Sequence, residues 1–207
     1  MKRYELDITL VCLGMPMSAE TISSGQSLGG SETAAAQAAA ALAKLGHRVT
    51  LFCNTEKLQT DSGVTYTPMG WVTGMDGTAQ FPKGLFDHAR TAPSDVMLVQ
   101  RQPVLLQFDY PSKANILWQH DLATHTGPSQ FGAVIWNIDK ILVLSQFMKK
   151  QYQSVHGGVD ALYHVTRNGI DLGLIDKVPA QQRDRFKLMF TARPERGLDI
   201  LLTRVWP

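Results

Sequence analysis

A pair of glycines, Gly29-Gly30, stands just before an alanine-rich stretch in QSLGGSETAAAQAAAALAKLGHRVTLF, residues 26–52. Glycine at a strand-to-helix junction lets backbone approach a phosphate, while free N–H groups and the helix macrodipole supply positive potential. The same pair also serves as an ordinary turn, and from these residues alone the two readings weigh equally. A dinucleotide fingerprint needs G-x-G-x-x-G tight against the first strand, and a P-loop needs G-x-x-x-x-G-K-[ST]. Neither string occurs. Further along, His120-Asp121 follows the run NILW, and Arg101 sits between two glutamines after DVMLV. Taken singly, a strand-end histidine is an ordinary polar loop residue. Arg193 and Arg196, taken singly, are solvated charges.

Elements must hold these residues in place. Leu6–Leu13 reads as a buried parallel strand ending at Gly14. A polar Gly/Ser-rich connection leads to a helix over Ser31–Leu45, with Ser31 as N-cap, Glu32 in the first turn and Gly46 as its stop. Arg48–Phe52 is the next strand, which makes a βαβ unit with a right-handed crossover. The pattern predicts strands at Val64–Thr67, Asp95–Val99, Asn115–Trp118, Lys140–Leu144 and Tyr163–Thr166. Helices are predicted at Gly84–Arg90, Gln130–Trp136 and Gln146–Val155, the last capped by Ser145. Such alternation implies a doubly wound, mostly parallel α/β sheet of the Rossmann type, with its ligand crevice at the carboxyl ends of the strands. The alanine run is expected to pack closely on that sheet.

Residues 178–185 (VPAQQRDR) read as a linker between a first domain, 1–177, and a second segment, 186–207. The second segment, containing KLMFTARPERGLDILLTRVW, reads as the opening strand-turn-helix of another α/β domain that has no room to finish. Its Leu198, Ile200, Leu201, Leu202 and Trp206 would then lack a sheet to pack on, and a partner chain or dimer contact could cover them.

Composition narrows the function classes. Apolar residues are 44% and charged residues 18% of the 207, so a packed core is expected. A net charge of +2 is too small to argue nucleic-acid binding, and leaves at most peripheral membrane contact. Cys12 and Cys53 each end an apolar run and read as two buried thiols on neighbouring strands. No Cys/His cluster has ligand spacing, which argues against a metal site. The start Met1-Lys2-Arg3 is followed by Glu5 and Asp7 rather than by a leader pattern, and the default location is cytoplasmic. Lys149 and Lys150 read as a solvated helix face, and His125 and His156 as surface residues.

Four stretches occur in order: GGSETAAAQAAAALAKLGHRVTLF; ILWQHD at 116–121; ILVLSQFMKKQY at 141–152 with VTRNGID at 165–171; and FTARPERGLDILL at 190–202. Together they resemble the family-4 retaining glycosyltransferases of the GT-B fold. The resemblance implies two Rossmann-like domains, with the acceptor held mostly by the first and a nucleotide-sugar donor mostly by the second. It implies that Gly29 and Gly30 approach the donor phosphates and sugar, and that His120 contacts the transferred sugar as the catalytic-site histidine. It matches Arg193 to the arginine that grips the diphosphate. Arg196 stands where the family usually has lysine. Ser31, Glu32, Arg101 and Asp121 fall on the acceptor side, although many relatives carry histidine-containing segments where Gln100-Arg101-Gln102 stands. Asn168-Gly169 matches a structural turn. Cationic side chains and N–H groups suit this chemistry, because the leaving diphosphate gains charge as the sugar becomes oxocarbenium-like. The resemblance thus implies no metal and no cofactor, with the nucleotide-sugar as substrate, and no D-x-D stretch occurs. The family's E-x7-E pair would lie beyond residue 207, so the chain is expected to be weakly active or inactive alone. A non-catalytic, glycosyltransferase-like binding protein or truncated remnant is the alternative, and a small α/β enzyme with another nucleotide cofactor is a third.

Overall fold

The computed structural model describes residues 4–73, 80–108, 110–125, 131–170, 172–177, 179, 184, 186–192 and 194–206. Contacts divide the chain into a unit spanning 1–169 and a second spanning 170–207.

The first unit is α/β, built on an eight-stranded sheet in the order β10-β9-β8-β7-β1-β2-β4-β3. Its strands are β1 (Asp7–Cys12), β2 (Arg48–Cys53), β3 (Gln59–Asp61), β4 (Val64–Pro68), β7 (Val96–Gln100), β8 (Ala114–Trp118), β9 (Lys140–Val143) and β10 (Tyr163–Val165). Every neighbouring pair is parallel except the hairpin β3–β4. A separate antiparallel pair joins β5 (Trp71–Thr73) to β6 (Gln80–Pro82). The chain leaves β1 toward β2 and β4, then returns to β1's other edge with β7 and continues to β10. Strand order therefore reverses between β1 and β7, where a crevice opens at the carboxyl ends in sheets of this kind.

Side chains alternate between two cores. Leu10, Cys12, Leu51, Cys53 and Tyr66 face the helix α2 (Gly30–Lys44), whose Ala35, Ala36 and Ala39 are buried. The small alanines bring α2 close to the sheet. Val11, Phe52, Leu117 and Ile141 point the other way, toward Leu85 and Ala89 of α3 (Lys83–Thr91) and Met148 and Tyr152 of α4 (Gln146–His156). Cys12 and Cys53 are direct cross-strand neighbours, both buried as free thiols, and burial is the main cause that raises each to about 12. Among the described residues no helix is long and apolar enough to cross a membrane.

Several local expectations need correction. The N-cap of α2 is Gly29 (φ −64°, ψ 159°), not Ser31: helical bonding starts with Thr33 N–H donating to the Gly29 carbonyl at 2.9 Å. Ser31 has its hydroxyl engaged elsewhere, as described below. The helix ends at Lys44 with Leu45 as its C-cap, and Gly46 at φ +96° supplies the left-handed stop just after it. Only fragments of the helix expected at 130–136 form within the described residues: one helical step at 131–132 and a 3-10 turn at Ile135–Asn137. Lys149 is no solvated lysine; its side chain is 15% exposed and pairs with Asp160 at 2.8 Å. His156 is half-buried, stacked on Phe131 with centroids 4.2 Å apart. Sequence reading also missed the short helix α1 (Ala19–Ser23), capped by the Ser18 hydroxyl.

In the second unit, 187–190 carries no strand. An isolated strand has no neighbour to accept its backbone N–H groups, so the ladder cannot form. The regular structure among its described residues is helical: Leu172–Ile175, a 3-10 turn at Pro194–Arg196, and Leu198–Ile200 running into a π-helical stretch at Leu201–Val205. Ile200, Leu202 and Trp206 are exposed. The expected linker 178–185 lies almost wholly outside the described residues.

Candidate functional site

The reversal point gathers most of the residues singled out above. Gln100 ends β7, Arg101 follows it, His120 and Asp121 follow β8, and Gly29–Glu32 open α2. Direct bonds join them. The Gln100 amide nitrogen donates to the Ser31 backbone carbonyl at 3.0 Å and lies 3.1 Å from His120 Nε2. Arg101 Nε donates to Asp121 Oδ2 at 2.6 Å, and its Nη1 donates to the Ser31 hydroxyl at 3.0 Å. Trp118 meets the His120 ring edge-on, centroids 4.6 Å apart.

Arg101 holds φ at +63°, one of two non-glycine residues with positive φ among those described. Left-handed backbone costs a residue with a Cβ about 1–2 kcal/mol. The Asp121 and Ser31 contacts, with the Arg101 N–H donating to the Trp118 carbonyl at 3.0 Å, hold that conformation. Such strain is kept where a side chain must be aimed.

The glycines divide by role. Glu32 is 4% exposed, and its Oε1 accepts from the Met15 N–H at 3.1 Å. A Cβ on Gly14 would overlap Glu32 Oε1, and a Cβ on Gly29 would overlap Glu32 Oε2. These two glycines make room for the chain's own carboxylate. Gly30 differs: a Cβ there meets nothing within 4 Å. The first N–H groups of α2 have no intrahelical acceptor, and Gly29 supplies no side-chain cap for them. The open start of α2 is therefore at Gly30, with a negative charge seated on its inner side.

Burial chiefly lowers the His120 pKa below its ordinary 6.5; the Arg101 charge adds to this, while Asp121 and Glu32 oppose it. At neutral pH this favours the uncharged ring. No bond to His120 Nδ1 is present among the described residues.

A cavity of about 480 Å³ opens on the other side of β1, over β2 and β4, between Gly14, Asn54, Thr55, Met69 and Trp71. None of its lining residues carries a charge. It adjoins the polar cluster at Gly14 but does not contain His120. Among the described residues no group of His, Cys, Asp or Glu could hold a metal ion.

Of the residues expected to act, Gly30, Ser31, Glu32, Arg101, His120 and Asp121 share this one place, with Gly29 committed to Glu32. Arg196 is exposed in the second unit, on its 3-10 turn. Arg193 lies outside the described residues. Gln100 was missed, although a glutamine closing the apolar run VMLV is a visible signal. On the α2 face it continues the alternation from Leu98. No protein-family model matches this chain, and no curated protein matches its sequence.

Proposed function

We propose that the first unit is the acceptor-side domain of a GT-B-type retaining glycosyltransferase, moving a sugar from a nucleotide-sugar donor to a glycan, lipid or small-molecule acceptor. One observation carries this reading: at the strand-order reversal, a neutral histidine, a strained arginine and an open helix start converge. His120 would hydrogen-bond a hydroxyl of the transferred sugar. The N–H groups near Gly30 would meet the leaving phosphate as its charge grows, since donors fixed in place stabilise charge that develops. Arg101, tied to Asp121 and Ser31, would shape the acceptor side. The adjoining uncharged cavity with its half-exposed Trp71 suits a neutral ring or chain.

A second reading draws support from Glu32. A carboxylate seated between Gly14 and Gly29 repels an anion at the inner helix start, and a site that binds neutral sugars without transfer tolerates it better. Calorimetric titration with UDP-, GDP- and ADP-hexoses, the free hexoses and the nucleotides tests both. The transferase reading expects a hexose-bearing nucleotide to bind more tightly than either part, with binding weakened by His120→Ala. Equal binding of the free hexose favours the second reading. Tight NAD or S-adenosylmethionine binding with no sugar binding would overturn both.

A further inference from the structure

We propose that Gln100 is a positioning residue that locks His120 as the Nδ1–H tautomer, so that the site presents a hydrogen-bond donor to its ligand. This rests on the reading of His120 as the residue that touches the sugar, but the tautomer itself can be observed without any sugar.

The Gln100 amide is held between two partners. Its orientation is set by Ser31, whose backbone carbonyl can only accept, so the atom 3.0 Å away must be the NH2 nitrogen. The same nitrogen lies 3.1 Å from His120 Nε2. An amide nitrogen has no lone pair to offer, so Nε2 must accept and carries no proton. With one hydrogen to Ser31 and one to His120, both donors of the Gln100 amide are used. A neutral imidazole carries one N–H, which then lies on Nδ1. A neutral histidine side chain in water prefers its proton on Nε2, so this tautomer is imposed.

Surroundings reinforce the assignment. Gln100 is 1% exposed, which makes its unpaired donors costly and its orientation firm. Protonating His120 would put a second hydrogen on Nε2, facing the amide hydrogens. Burial and the Arg101 charge oppose that protonation too. Because Ser31 lies in the first turn of α2, Gln100 also ties the histidine to the helix start beside Gly30. The group expected opposite Nδ1–H is an acceptor oxygen, such as a sugar hydroxyl or ring oxygen, and not a second donor.

Long-range 1H–15N spectra of the full chain, labelled with 15N-histidine, read the tautomer directly. His120→Gln identifies the His120 signals. At neutral pH the wild type should show a pyrrole-like Nδ1 and a pyridine-like Nε2. Gln100→Leu removes the donor, and His120 should revert to Nε2–H. Gln100→Glu is isosteric and offers an acceptor to Nε2–H, so it should also switch the tautomer. Both variants should weaken binding of the best hexose ligand about tenfold, the worth of one hydrogen bond. A wild type with Nε2–H overturns the proposal, even if no variant folds. An Nδ1–H pattern unchanged in a folded Gln100→Leu also overturns it. Should the tautomer switch while no sugar binds, the positioning role stands and the sugar-binding reading fails.

Discussion

Replacing Gly14 or Gly29 by alanine should damage the protein through Glu32, while the same change at Gly30 should not. Neither Gly14 nor Gly29 is among the glycines with positive φ, so an alanine Cβ strains no backbone at either site. The cost comes from the side chain the Cβ would strike, the Glu32 carboxylate. Displacing it breaks the bond from the Met15 N–H, a charge-assisted bond worth about 1.5–3 kcal/mol. It also takes a negative charge off the helix start, worth about 0.3–1 kcal/mol and more when partly buried. Gly14→Ala and Gly29→Ala should each lose about 2–4 kcal/mol. Gly30→Ala should change stability by less than about 1 kcal/mol, in the stabilising direction, as alanine replaces glycine in a helix. Urea unfolding of the single variants and of each paired with Glu32→Ala measures the coupling. In the Glu32→Ala background the Gly14→Ala penalty should shrink to about 0.5 kcal/mol or less. Equal damage at Gly14 and Gly30, or a Gly14→Ala cost unchanged by Glu32→Ala, would refute the reasoning.

Three further outcomes follow from the same geometry. Arg101→Gly should be about 1 kcal/mol more stable than Arg101→Ala in matched melts, because both lose the contacts to Asp121 and Ser31 but only glycine sits freely at φ +63°. Ser145→Ala should cost about 1 kcal/mol, read by chemical unfolding, since the Ser145 hydroxyl caps α4 by accepting from the Met148 N–H at 3.1 Å. Burial is the leading cause that lowers His88, His120 and His156 below 6.5, so the unfolded chain takes protons first as pH falls. Their contribution is fully present above pH 6.5 and drains away as pH drops through the folded values, at up to about 1.4 kcal/mol per pH unit for each histidine. Unfolding measured from pH 7.5 to 5 should show that loss, and His88→Gln should flatten it; a stability constant over this range would contradict it.

The parallel strands were legible because burial on both faces writes them as unbroken apolar runs. LDITLVCL, DVMLV, NILW and KILVL all landed within a residue or two of β1, β7, β8 and β9. The helix starts were less so. Ser31 looks like a cap by type, yet the actual cap is two residues earlier, and the Ser31 hydroxyl accepts instead from Arg101, just past β7. Propensity does not see a partner 70 positions away. The β3–β4 hairpin turns on Ser62 at φ +50° and Gly63 at φ +79°, a turn that the Ser-Gly dipeptide signals. The β5 strand has all three residues exposed and offers no periodicity to read. His156 and Lys149 were misplaced for a related reason: a polar residue type says nothing of the ring or carboxylate that will cover it.

For the site, the difficulty lies in what glycine means. A glycine before a helix is required whenever something must come within a Cβ's reach of the backbone, and that something need not be a ligand. Here the occupant at Gly14 and Gly29 is Glu32, three residues into the same motif. A glutamate in the first turn is ordinarily an exposed dipole partner. Its burial is what turns it into the filler of the glycine hollow. The consequence is electrostatic. An anion approaching this helix must come from the Gly30 side, away from Glu32 and toward His120 and Arg101. A phosphate bound there should therefore bind more tightly to Glu32→Gln, which keeps the shape and removes the charge. A neutral sugar should bind the two proteins alike. Comparing inorganic phosphate and free hexose on that pair separates a transferase cleft from a neutral sugar site without turnover being measured at all.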